Sequence, residues 1–147
     1  MKTIVITILI LWCSNTIYAN ESRFNSSISV GAGYQYGGVL GVRYNIVNDK
    51  HLYFGSLGLV GGALGYEYFL DQNNKHAIGL SVGSEVLTSE DGFAMIVYEF
   101  YPSGFDASGW QLGISSGLRR EDESSFFARR GDTETKFALM FSAGYKF

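Results

Sequence analysis

The chain has 147 residues, 46% hydrophobic and 17% charged, with 11 Lys and Arg against 14 Asp and Glu for a net charge of −3. That length suits one domain, and a mild acidic balance without a long basic run excludes an electrostatic nucleic-acid binder. Charge falls below the roughly 25% of ordinary soluble domains, while glycine (19 residues) and aromatics (16%) are abundant and proline occurs once.

The first predicted element is a leader. Lys2 supplies a positive start, residues 4–12 an apolar stretch, and Ile17-Tyr18-Ala19 a cleavage site ending in a small residue. This is the pattern of a secretory signal peptide spanning residues 1–19, too short for a membrane-spanning helix of about 20 apolar residues. A lipoprotein signal ending at Cys13 is the rival, and the bulky Trp12 before it argues against that. Cleavage after Ala19 leaves residues 20–147 as a single exported domain. Cys13 is the only cysteine and departs with the leader, so no disulfide or thiol chemistry is expected downstream.

Beyond the leader the pattern is period-two alternation, bounded by turn residues. Residues 24–36 set Phe24, Ile28, Val30, Ala32, Tyr34 and Tyr36 against Asn25, Ser27, Ser29, Gly31, Gly33 and Gln35. Residues 39–47 set Leu40, Val42, Tyr44 and Ile46 against Gly41, Arg43 and Asn45. Residues 51–60 are ambiguous, with Leu52 and Phe54 on one face but Tyr53, Leu57 and Leu59 on the other. Residues 63–70 set Leu64, Tyr66, Tyr68 and Leu70 against Gly65, Glu67 and Phe69; residues 76–87 set Ile78, Leu80, Val82 and Val86 against Gly79, Ser81 and Glu85. Residues 93–101, 110–119 and 136–147 continue the pattern, with Glu99, Arg119 and Lys136 on the polar faces. Turns are expected at 36–38, 48–50, 61–62, 71–75, 89–92 and 102–108, with one long connection at 121–135. Eight short, evenly spaced strands predict an all-β, antiparallel up-and-down barrel.

Three features decide which face points out. The polar face is mostly Gly, Ser and Ala with about one charge per strand, too little to cover a water-facing surface but suited to a narrow eight-stranded lumen. The apolar face carries no Lys, Arg, Asp or Glu, as a lipid-facing surface requires. Aromatics near strand ends suit the two membrane interfaces. The expectation is a transmembrane barrel, with a soluble barrel holding a small apolar ligand as the alternative.

With its leader, its eight segments and the ending Tyr145-Lys146-Phe147, in phase with Leu139 and Phe141, the chain resembles the small eight-stranded outer-membrane barrels of Gram-negative bacteria, the OmpA transmembrane-domain and OmpX type. The resemblance implies an outer-membrane location with both termini periplasmic. It implies lipid and lipopolysaccharide as surroundings, and a C-terminal strand in which Tyr145 and Phe147 are read by the barrel-assembly machinery. It implies no activity, because such folds host unrelated functions.

Chemistry on the polar face is limited to charges. Arg43, Glu67, Glu85, Glu99, Arg119 and Lys136 are expected to form a paired network that fills the lumen, since buried charges require partners. His51 and His76 both fall beside expected periplasmic turns, and neither stands in a His-x-Ser pattern. An enzyme acting on lipid A is therefore the lesser reading, and two isolated histidines give no zinc site. No cofactor is expected. In the long connection, Phe126, Phe127, Arg129 and Arg130 are the candidates for an exposed contact with a surface partner. The role expected is structural or surface-interacting, and non-enzymatic.

Overall fold

A computed structural model describes residues 24–85, 89–122 and 133–147. The expected signal peptide, residues 1–19, and Phe126, Phe127, Arg129 and Arg130 lie outside the described residues. Eight antiparallel strands form one closed barrel in sequence order: β1 (Phe24–Gly33), β2 (Gly38–Asn48), β3 (His51–Gly58), β4 (Gly61–Phe69), β5 (His76–Glu85), β6 (Ser89–Phe100), β7 (Gly109–Asp122) and β8 (Thr133–Lys146). We call the end that carries Phe147 the terminal end and the opposite end the distal end.

Strand stagger follows from the register. A path across the ladders from Ser29 runs through Arg43, Ser56, Ala63, Gly83, Phe93 and Arg119 to Lys136. Ser29 itself pairs with Lys146, so the path closes ten residues away on β8. With about 3.3 Å per residue and about 4.8 Å between strands, that offset tilts the strands about 40° and sets a wall radius of about 8 Å. Such a lumen is filled by side chains. Every residue on the path points inward, which fixes the other parity outward.

Alternation orders the faces as the sequence implies for most strands. In β2, Gly41, Arg43, Asn45 and Val47 are buried while Val42, Tyr44 and Ile46 are exposed. The ambiguous β3 resolves with Leu52, Phe54 and Ser56 inside and Tyr53 and Leu57 outside. Its inner face is apolar because it lines the terminal-end plug described below.

Three expectations are corrected. Tyr34 and Tyr36 are not on the outer face. The strand ends at Gly33, a single 3₁₀ turn at Tyr34–Tyr36 folds into the lumen, and these tyrosines are 1% and 0% exposed. Three glycines permit the inward fold, because Gly33, Gly37 and Gly38 have φ of 124°, 73° and 110°, a region costly to residues with a Cβ. The turn after β3 is residues 59–60, not 61–62; Gly61 and Gly62 open β4 and pair with Glu85 and Ser84. Residues 89–92 belong to β6 rather than to a turn.

Inward glycines have a second role. They lie beside large inward side chains of neighbouring strands. A methyl at Gly65 would fall on the Phe54 ring, one at Gly83 would reach Phe93 Cζ at 2.6 Å, and one at Gly117 would reach Met95 Sδ at 3.0 Å. One at Gly144 would fall on the Tyr36 hydroxyl, with the ring Cζ at 2.6 Å. Large and small residues thus alternate around the ring to fill a narrow cylinder.

Candidate functional site

The lumen stacks in three layers. At the terminal end, Val47, Leu52, Phe54, Phe69, Ala77, Tyr101 and Phe105 form an apolar plug. Phe105 comes from the connection between β6 and β7, which folds under the barrel: its N–H donates to Asn74 O at 2.9 Å, and Lys146 Nζ lies 4.8 Å from its ring centroid.

Above the plug sits the charged layer. Arg43, fully buried on β2, donates from Nη1 to Glu99 Oε1 at 2.8 Å, from Nη2 to Glu67 Oε1 at 2.9 Å and from Nε to Asn45 Oδ1 at 2.7 Å. Its guanidinium carbon stands 3.7 Å over the Phe54 ring. The two carboxylates are held unequally. Glu99 also accepts from Tyr101 Oη at 2.6 Å and Gln111 Nε2 at 3.0 Å, whereas beyond Arg43 the nearest donor to Glu67 is the same Tyr101 hydroxyl at 3.4 Å. Asn45 passes the network on to Ser29 Oγ at 2.9 Å.

The distal layer contains Tyr34, Ala63, Phe93, Met95 and Val97, with the Tyr34 and Phe93 rings 4.7 Å apart. Arg119 Nη1 donates to Tyr34 Oη at 2.8 Å, and Glu85 is 5% exposed nearby. Both amide atoms of Gln35, together with Tyr36 Oη, Ser81 Oγ and Gln111 Oε1, are buried without a hydrogen-bond partner among the described residues.

The six charges expected in one network therefore separate. Arg43, Glu67 and Glu99 come together as a buried triad. Glu85 and Arg119 stand one layer higher. Lys136 is at the distal rim with a 48% exposed side chain, 3.6 Å from Glu134, because the stagger raises β8 there. Asn45, Tyr101 and Gln111 complete the triad and were not singled out from the sequence; strand parity marks all three as inward, but only the register shows that they meet Arg43 and Glu99.

The histidines sit on the outer wall at the terminal end, beside turns as expected. His51 Nδ1 and Tyr66 Oη are 2.8 Å apart, and so are His76 Nδ1 and Tyr98 Oη. His51 also meets the Tyr68 ring edge-on and His76 stacks on Phe100. Tyr145 lies edge-to-face between Trp110 and Phe147, at 5.8 and 5.2 Å. These groups form an aromatic band around the terminal rim. Among the described residues no group of three or more His, Cys, Asp or Glu is placed to hold a metal ion.

Between this band and Arg120 at the distal rim, the outward positions are apolar or small. Ile46, Leu64, Leu80, Ile96, Leu112 and Phe141 are exposed representatives from six strands. No Lys, Arg, Asp or Glu points outward in that zone among the described residues. The class that fold and site define is a closed, eight-stranded up-and-down barrel with a filled lumen, a buried charge triad and an apolar exterior. No family model, no curated protein and no solved structure matches the chain.

Proposed function

We propose that the protein is an integral outer-membrane β-barrel of the Gram-negative envelope, with both termini periplasmic and a structural or surface-interaction role rather than a catalytic one. One observation carries the reading: an apolar exterior from the terminal aromatic band to Arg120, on a barrel whose charged groups face inward. Exposed leucines and phenylalanines at this density on a water-facing wall would form one very large sticky patch. In lipid the same wall is its solvent, and closure satisfies the backbone. The aromatic band then lies at the periplasmic interface.

A non-catalytic role is supported by where the reactive groups are. The triad is sealed between two apolar layers, out of reach of substrate. Each histidine faces outward and bonds a tyrosine. The charge chemistry of the lumen is that of packing. Surface interaction would fall to the connection between β7 and β8, where Phe126, Phe127, Arg129 and Arg130 are the proposed contacts.

The deciding test is Leu80→Arg. Leu80 is 60% exposed near mid-height of the belt. In a bilayer the substitution costs about 2–4 kcal/mol; on a water-soluble barrel it costs next to nothing. Folded and unfolded forms are read by their different gel mobility with and without heating. Extraction of the wild type from membranes by salt alone, or an unchanged Leu80→Arg, sinks the membrane reading. Unaltered lipid A mass spectra with and without the protein support the non-catalytic role. Deletion of 124–130 without loss of surface binding removes the loop from it.

A further inference from the structure

Two strands that start at the terminal end open with the same arrangement. Asp49-Lys50-His51 leads into β3 and Asn74-Lys75-His76 into β5. The residue before each lysine is left-handed, with φ of 59° at Asp49 and 52° at Asn74. Each lysine carbonyl accepts an N–H from the next strand, Phe69 to Lys50 O at 2.9 Å and Tyr101 to Lys75 O at 2.8 Å. Each histidine faces an aromatic residue across the ladder, Tyr68 or Phe100. Each also reaches the tyrosine two positions before that residue, with Nδ1 2.8 Å from Tyr66 Oη or Tyr98 Oη. The two His–Tyr ring pairs stack alike, at 5.9 Å and 28° and at 6.2 Å and 26°. The preceding turns differ, residues 49–50 against residues 70–75, so the repeat is not imposed by turn length.

We propose that each unit binds the phosphodiester of one glycerophospholipid from the periplasmic leaflet. When the tyrosine hydroxyl donates to Nδ1, the imidazole proton sits on Nε2, which is left as a donor at the outer surface. The neighbouring lysine adds an ammonium on a stem long enough to reach the same rim. Neither Lys50 nor Lys75 makes an ion pair among the described residues. Asp71, the carboxylate beside the second unit, is taken up by the N–H groups of Asn73, Lys75 and His76. A donor and a cation at one rim position suit a phosphate. The acyl chains continue over the apolar belt, along Tyr53 and Leu64 from the first unit and Leu80 and Ile96 from the second, all exposed. The units stand two strands apart, about 10 Å across the wall, so each takes its own lipid. The inference rests on the membrane reading above, which puts the terminal end at that leaflet.

His51 and His76 are the only histidines in the chain, so isotope labelling of histidine ring nitrogens reports on these two units alone. The full mature chain is refolded in vesicles of phosphatidylethanolamine and phosphatidylglycerol in phosphate-free buffer. Solid-state NMR then measures dephasing of each ring nitrogen by lipid phosphorus, with His51→Gln and His76→Gln assigning the signals. Nε2 of both histidines should be dephased, and more strongly than Nδ1. Tyr66→Phe keeps the ring but removes the hydroxyl that sets the imidazole. It should lower dephasing at His51 about fivefold and leave His76 unchanged, and Tyr98→Phe should do the converse. Lys50→Gln and Lys75→Gln should each weaken the signal of their own histidine. All four variants should keep the gel-mobility shift. Absence of dephasing in folded, inserted protein overturns the lipid sites and leaves the membrane reading intact. Protein that salt alone extracts overturns both. Dephasing unchanged by Tyr66→Phe and Tyr98→Phe overturns the built site in favour of mere closeness to the interface. Equal dephasing by inorganic phosphate in a phosphorus-free detergent overturns the lipid as its source.

Discussion

Breaking the buried triad should give an order of damage that its hydrogen bonds predict. Glu67 depends on Arg43 Nη2 at 2.9 Å, with Tyr101 Oη farther off at 3.4 Å, so Glu67→Gln exchanges one charged contact for a neutral one and costs about 1 kcal/mol. Glu99 gathers Arg43, Tyr101 and Gln111 at 2.8, 2.6 and 3.0 Å, so Glu99→Gln weakens three bonds and costs about 2–3 kcal/mol. Arg43→Met strips the cation from between two buried carboxylates and also its contact with Phe54, and costs about 3–5 kcal/mol. The cost is mostly that of the uncompensated charges. The triple variant Arg43→Met, Glu67→Gln, Glu99→Gln should therefore be more stable than Arg43→Met alone. Urea unfolding of the refolded protein in lipid vesicles reads this. Trp110, the one tryptophan in residues 20–147 and 62% exposed on the belt, reports by its fluorescence. If the triple variant is no more stable than the single one, charge compensation is not what holds this layer together.

Gly144→Ala should be far more damaging than Gly113→Ala. The first meets the rigid, buried Tyr36 ring, while the second meets chiefly the Ser142 hydroxyl, which can rotate away; thermal midpoints rank the two, and Tyr36→Leu should partly rescue only Gly144→Ala. Gln35→Leu should stabilise by about 1 kcal/mol, because both amide atoms are buried without partners; a loss in the urea midpoint would contradict that. Asp71, in the turn between β4 and β5, is held below the ordinary carboxylate range. Some desolvation opposes this, but N–H groups of His76, Lys75 and Asn73 donate to it and prevail. A depressed carboxyl contributes its stability in full above the unfolded value of about 3.9 and loses it as pH falls through the lower folded value. The unfolding midpoint should thus fall with acid more steeply in the wild type than in Asp71→Asn, and parallel acid limbs would refute the assignment.

Strand existence and facing were legible because a β-strand has a side-chain period of two. Leu40 to Ile46, Ile78 to Val82 and the run from Phe137 to Phe147 declare their outer faces residue by residue. The short stretch from His51 hid its parity, since both its faces are apolar. Leu52 and Phe54 could have faced either way until the plug gave them neighbours. Tyr34 and Tyr36 misled for the opposite reason. They keep perfect alternation with Val30 and Ala32, yet the glycines on either side let the backbone leave the sheet.

By itself the sequence determined which side chains share a face and how much polarity each face carries. Those properties follow from local backbone geometry and from composition. Only the tertiary structure decided which charges meet, because that depends on a stagger accumulated over eight ladders. It placed Arg43 beside Glu67 and Glu99, whose positions lie 24 and 56 residues away, and lifted Lys136 to the rim. The short β1–β8 seam, paired from Ser29↔Lys146 to Ala32↔Ala143, has the same origin. No single strand encodes it; it arises where a short first strand meets a long last one.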